Sequence, residues 1–275
     1  MARLFGYVGN RPDLGPFVLK VERDALRVEG AGDPLGWGIG FYQGGEILLR
    51  RRPLDEHRDI EVADLGDDVR ADVLIGHVRS ATVGSLRTEN THPFRYRQWL
   101  FAHTGTLDGF TQLAARLSEA LPEFLRRNLR GETDSELLFH VFLSFLHDAG
   151  QLQSAHVPPA ATRDALRATL AHVARLRADV GAEDRPMNLL LTDGEQMVGV
   201  RCGATMAWRD VHGRPDLLRA IGEERLRQLR IPDLAGARFT LVASDFDREP
   251  RGFEIVPPRS MLTLDRSHAP SVEPL

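Results

Sequence analysis

The side chains able to do chemistry sit in five short segments rather than spreading along the chain. These are Arg3-Leu-Phe-Gly-Tyr-Val-Gly9, Gly36-Trp-Gly-Ile-Gly-Phe-Tyr42, Gly76-His-Val-Arg-Ser-Ala-Thr-Val-Gly84, Phe101-Ala-His-Thr-Gly-Thr-Leu107 and Gly131-Glu-Thr-Asp-Ser-Glu136. Alone, none specifies a reaction. Gly36, Gly38 and Gly40 look superficially like a dinucleotide-binding loop, but their spacing differs from that fingerprint and no helical pattern follows. His77, His92 and His103 flank the segments without the spacing of a metal-binding helix, and a lone Cys202 cannot build a cysteine cluster. Neither a metal site nor a cofactor is expected. Cys202 has no neighbouring His or Asp pattern and reads as an inert buried thiol. Arg50 to Arg52 read as a solvated strand end.

The elements that must position these groups come in the order strands, helices, strands. Apolar stretches at Leu4–Val8, Gly40–Tyr42, Ile47–Leu49, Val73–Val78 and Trp99–Ala102 are separated by Gly-, Pro- and Asp-rich punctuation. Gly44-Gly45 predicts a hairpin turn. From Thr111 the period becomes helical, with Leu113, Leu117 and Leu121 four apart. Thr133-Asp-Ser-Glu136 fits a capping box opening a buried helix, and Ala160–Val180 predicts another. Met187–Leu191 and Met197–Arg201 flank an Asp-Gly hairpin turn. Pro215–Arg230 reads as one charged helix, and Phe239–Ala243, Phe253–Val256 and Met261–Leu264 as closing strands. We expect a single domain over residues 1–266 and a loose tail over 267–275, with two packed sheets covered by helices.

Lys plus Arg number 35 against 39 Asp plus Glu, a net charge of −4, so no global basic field points to nucleic acid or an anionic membrane. No apolar run nears the roughly 18 residues of a membrane helix, and Leu4–Gly9 is too short for a secretory core. A cytoplasmic protein is expected.

Taken in order, the five segments resemble the class II (N-terminal-nucleophile) glutamine amidotransferases. The chain is most similar to the stand-alone branch of YafJ-type proteins and relatives of the ergothioneine-pathway γ-glutamyl hydrolase. The resemblance runs from residue 2 to about residue 264 and takes in Asn90-Thr-His-Pro-Phe94, Leu190-Leu-Thr-Asp-Gly194 and Val242-Ala-Ser244. It implies an α+β fold, the Ntn-hydrolase four-layer αββα sandwich. It also implies a pocket for glutamine or a γ-glutamyl small molecule, with a separate synthase or acceptor protein as a possible partner.

In that family the initiator methionine is removed, the exposed cysteine attacks the side-chain amide, and its own α-amine moves the proton. This sequence has Ala2 there, and a methyl group cannot attack a carbonyl. Where the family has an asparagine and a glycine forming the oxyanion hole, Thr104 stands before Gly105. Losing one such donor costs about 2.7–4 kcal/mol of transition-state stabilisation. The resemblance assigns Arg79 to the substrate α-carboxylate, Asp134 to its α-ammonium and Thr82 to the same pocket. The bland alternatives are a buried salt bridge for Arg79 and a helix-dipole charge for Asp134.

Paired loss at positions 2 and 104 favours a pseudoenzyme that keeps its clamp and binds a glutamine-like ligand or a partner. The alternative is an engineered nucleophile-to-alanine variant of an active amidohydrolase. A third reading makes Thr104 or Thr106 the nucleophile, but the sequence pattern offers neither a base.

Overall fold

The computed structural model describes residues 2–22, 26, 36–53, 68–79, 84–228, 233–246 and 250–275. The opening segment forms β1 (Arg3–Gly9), in which every residue is buried. A strand lined on both faces by other layers has no solvent side for polar residues to occupy. β2 (Gly36–Gln43) and β3 (Glu46–Pro53) make the expected hairpin, with Gly44 and Gly45 both at positive φ. β4 (Val73–Arg79) is also buried throughout. β5 (Phe94–Tyr96) and β6 (Trp99–Gly105) follow, then β7 (Met187–Thr192) and β8 (Gln196–Arg201) around Asp193-Gly194. β9 (Met206–His212), β10 (Arg238–Ser244), β11 (Glu254–Ile255), β12 (Ser260–Asp265) and β13 (Ser271–Pro274) complete the strands.

Among the described residues these strands build two antiparallel sheets. One has the order β11-β9-β10-β1-β4-β2-β3, the other β13-β12-β8-β7-β6-β5. Their inner faces meet in an apolar layer in which Leu4, Val73, Ile75 and Val242 oppose Leu100, Leu190, Met197 and Leu262. Helices cover the outside of each sheet. On the first, α1 (Gly15–Val21) and α6 (Gly213–Ile221) bury Phe17, Val18 and Leu217 against Phe5, Tyr7 and Leu241. On the second, α2 (Phe110–Glu119), α3 (Glu123–Arg126), α4 (Asp134–Asp148) and α5 (Pro159–Asp179) close over Trp99 and Phe101. Phe142 of α4 meets Trp99 edge-on at 5.3 Å between ring centroids, and Phe139 stacks on Phe101 at 5.2 Å. This is the four-layer αββα sandwich.

Three expectations need correction. Residues 215–228 form two helices, α6 and α7 (Glu223–Gln228), not one. They part at Gly222, whose φ of 76° is left-handed and incompatible with a continuing helix. The tail is not loose: β13 pairs with β12 from Ser260–Pro274 to Thr263–Ser271. Glu273 pins it to α5 through Arg163 at 2.7 Å and Arg167 at 3.1 Å. The capping box is half formed. Glu136 N–H donates to Thr133 Oγ1 at 3.2 Å, but the Glu136 carboxylate accepts from the N–H groups of Arg130 and Gly131 at 2.9 and 2.7 Å. Thr133→Ala is expected to cost about 1 kcal/mol of stability, read from urea unfolding, because one buried amide at the head of α4 loses its acceptor.

Candidate active site

Strand register brings the separate segments to one end of the sandwich. Arg3 lies opposite Val78 in the β1–β4 ladder, so Ala2 and Arg79 leave the sheet together. On the other flank of β1, Phe5 lies opposite Ala243 of β10, which carries Ser244 and Asp245 to the same end. Arg3 secures this junction: its Nη1 donates to the Ser244 carbonyl at 3.0 Å, and its guanidinium lies 4.8 Å from the Phe246 ring centroid.

The facing sheet contributes the end of β6. Thr104 Oγ1 donates to Asp245 Oδ2 at 3.0 Å, a bond that joins the two sheets directly. Ser244 donates its hydroxyl to the same carboxylate oxygen. Gly105 follows at φ 106°, and a Cβ there would sit 2.5 Å from the Pro186 carbonyl oxygen. Only glycine fits, so the turn out of β6 is set by both torsion and space.

Asp134 reaches this turn from the first turn of α4. Its Oδ2 accepts from the Leu107 N–H at 2.8 Å and its Oδ1 from the Ser135 N–H at 2.9 Å. Arg79 is buried, and burial pushes its guanidinium below the usual range while the Asp134 carboxylate opposes the shift. Arg79 donates to the carbonyls of Gly84 and Ser85 at 3.3 and 3.4 Å, long bonds that hold the side chain against the following loop. Buried Asn90 ties that loop down: its Nδ2 donates to the Ser85 carbonyl, and its Oδ1 accepts from Glu132 N–H at 3.0 Å. The Asn90 motif, which had no assigned role from sequence, is thus a brace linking the Arg79 loop to the Asp134 segment.

Beneath the site lie three buried imidazoles. His77 and His92 approach to 4.3 Å between ring centroids, and His103 hydrogen-bonds Ser135 Oγ at 3.0 Å through Nδ1. Both nitrogens of His77 and His92, and Nε2 of His103, find no hydrogen-bond partner among the described residues. Burial depresses all three, His77 to about 3, with mutual repulsion and Arg79 adding to the effect on His77.

The structure therefore gathers Ala2, Arg79, Thr104, Gly105 and Asp134 at one end of the sandwich. Thr82 lies outside the described residues. Sequence reasoning missed Asp245. Its burial raises the carboxyl, against lowering by the Ser244 and Thr104 hydroxyls and by Arg3. The one signal for it was position, an acidic residue directly after the buried Val242-Ala-Ser244 strand end.

A sequence profile of the class II glutamine amidotransferases matches residues 1–212, and the chain belongs to that family. It is similar to YafJ of Escherichia coli, named as a glutamine amidotransferase: 30% identical over 181 residues, 63% of this chain and 62% of that one. The gamma-glutamyl-hercynylcysteine sulfoxide hydrolase of Mycobacterium tuberculosis is 30% identical over 118 residues, 39% of this chain and 50% of that one. Less than two thirds of either relative is matched. Among solved structures, a glutamine aminotransferase class-II domain protein from Silicibacter pomeroyi superposes with a TM-score of 0.61. The superposition covers 99% of this chain and 98% of that one at 18% identity, a likeness of fold.

Proposed function

We propose that this class II glutamine amidotransferase-family chain grips the charged head of a glutamine-like or γ-glutamyl small molecule without hydrolysing it. The observation that carries the reading is that Arg79 leaves the sheet beside Ala2 while Asn90 ties the loop Arg79 holds to the segment that carries Asp134. A planar guanidinium and a carboxylate complement the two charges of a free amino acid. Ala2 supplies no nucleophile, and Thr104 has its single proton committed to Asp245. Binding without turnover suits a protein that senses or carries such a molecule, or presents it to a partner protein.

Calorimetric titration with glutamine tests this. Binding is expected to the unaltered chain, and Arg79→Ala is expected to weaken it about thirtyfold or more, since truncating a buried charged partner costs about 2 kcal/mol or more. Ammonia release should stay at the buffer rate. Identical null titrations for both proteins would leave the clamp without support. A second reading has one observation behind it: the Thr104 hydroxyl and Asp245 carboxylate are paired as a nucleophile and its base would be. Hydrolysis by the unaltered chain that disappears in Thr104→Val would put that reading in place of the first.

A further inference from the structure

The segments that carry the two clamp residues meet on one side chain. Asn90 is buried, and its amide is used at both ends. Nδ2 donates to the Ser85 carbonyl at 3.1 Å, the same oxygen that accepts from Arg79 Nη1 at 3.4 Å. Oδ1 accepts from the Glu132 N–H at 3.0 Å, two residues before Asp134. Glu132 returns the link: its carboxylate accepts from the Ser85 N–H at 3.1 Å and from the Ser85 hydroxyl at 2.7 Å. That carboxylate is exposed and competes with water, so the buried amide is the stronger tie.

The space around the amide fits it closely. A Cβ at Gly131 would stand 2.3 Å from Asn90 Oδ1, and one at Gly84 would stand 3.1 Å from Nδ2. An amide donates at one end and accepts at the other; an aspartate of the same shape loses the donor, and a leucine loses both. The chain beside Asn90 is anchored as well. A Cβ on Gly38 would stand 2.0 Å from the His92 carbonyl oxygen, so the middle glycine of Gly36-Trp-Gly-Ile-Gly40 lets this chain settle onto β2. Arg51 of β3 donates to the Thr91 carbonyl at 3.2 Å. Asn90 is therefore a fixed post tied to both the Arg79 and the Asp134 segments.

A ligand that meets a prearranged pair of charges does not have to order them itself, and the saving is greatest for a ligand that engages both. We propose that Asn90 is the positioning residue that makes the two halves of the clamp act as one unit, selecting ligands that carry a carboxylate and an ammonium on the same carbon. The inference rests on the head clamp of Arg79 and Asp134 proposed above and adds what sets its spacing.

Ligand-observed NMR titration, which reads affinities down to the millimolar range, tests this with three ligands. They are glutamine, glutaramate, which lacks the α-ammonium, and γ-aminobutyramide, which lacks the α-carboxylate. Asn90→Leu is expected to weaken glutamine about tenfold or more and to change each single-charge analogue by less than about threefold, because each half of the clamp still meets its own charge. A fall of the same size for all three ligands would make Asn90 a general support of the fold and overturn the proposal, and so would unchanged glutamine binding. Gly131→Ala, which drives a methyl group against Asn90 Oδ1 and leaves Asn90 itself in place, is expected to give the same pattern. The unaltered chain answers without either variant. Glutamine is expected to bind it about tenfold tighter or more than β-homoglutamine, whose two charges stand one carbon further apart. Equal binding of those two overturns the fixed spacing and leaves the clamp standing, whereas no binding of glutamine at all overturns both.

Discussion

Ammonia release from glutamine is expected to stay near background in Ala2→Cys and to rise about 10²–10³-fold above that variant when Thr104→Asn is added. A cysteine at position 2 alone supplies a nucleophile to a pocket whose electrophile is poorly supported. As the thiolate adds to the amide carbon, negative charge grows on the oxygen, and catalysis depends on donors already aimed at it. Thr104 has one proton and gives it to Asp245 at 3.0 Å. The side chain at position 104 is then an acceptor backed by a carboxylate. Asparagine brings an amide with two N–H donors, so it can satisfy Asp245 with one and the oxyanion with the other. Gly105 is unchanged in every variant, so the glycine that the turn out of β6 requires, at φ 106° beside the Pro186 carbonyl, is kept. A coupled assay for glutamate formation on the two variants gives the comparison, with mass spectrometry confirming that methionine has been removed ahead of the new cysteine. If the single variant already turns over as fast as the double, Thr104 is a neutral replacement. Position 2 alone would then limit turnover.

The parts of this fold that could be read from sequence are those written in local physics. β1, β4 and β6 were visible as apolar runs, the β2–β3 and β7–β8 hairpins as Gly-Gly and Asp-Gly turns, and α4 and α5 as helical periods. β9 was not: Met206, Ala207 and Trp208 are followed by Arg209 and Asp210, a mixture without strict alternation. Its strand character comes from pairing with β10 along its whole length. α1, seven residues with Pro16 in its first turn, is too short for periodicity to declare it and is held by packing of Phe17 and Val18 on Phe5 and Tyr7. The order of the tail has the same kind of source: it comes from β12 and from two arginines of α5 rather than from its own residues. The candidate site divides in the same way. Ala2, Arg79, Thr104, Gly105 and Asp134 stand in motifs and could be named in advance. Asp245 acquires its importance from a contact with a residue 141 positions away, and no window of sequence contains both.

Stability is expected to fall as the pH drops below about 6.5, because buried histidines stay neutral in the folded state while the unfolded chain takes up protons. Four buried histidines, His77, His92, His103 and His140, set that fall. Unfolded, each takes up a proton near pH 6.5. Folded, each resists it: His77 is held down to about 3 by burial, by His103 and by Arg79, and His92 by burial, both other imidazoles, Arg79 and Arg51. His103 is lowered by burial against the pull of Asp134. The sign follows directly. Above pH 6.5 both states are neutral and the histidines contribute nothing to the pH dependence. Below it the unfolded chain binds protons that the folded chain refuses, and each refused proton removes about 1.4 kcal/mol per pH unit until the folded imidazole finally titrates. For His77 that end point lies near pH 3. The carboxylates that folding lowers do not enter until lower pH. Asp13, Asp68 and Asp265 are lowered in the folded state and add to the loss only below about pH 4, where unfolded carboxylates titrate. Asp193 and Asp245 are raised by burial and act in the opposite sense, taking up protons in the folded state as the pH falls. With a total stability on the order of 5–15 kcal/mol, the chain should unfold cooperatively within a few pH units of neutrality. Urea unfolding at half-unit steps from pH 7.5 to pH 5 measures the slope, which reports the protons taken up on unfolding. An uptake of more than one proton is expected, and a flat profile over that range would mean that the buried imidazoles are hydrated or already paired in solution.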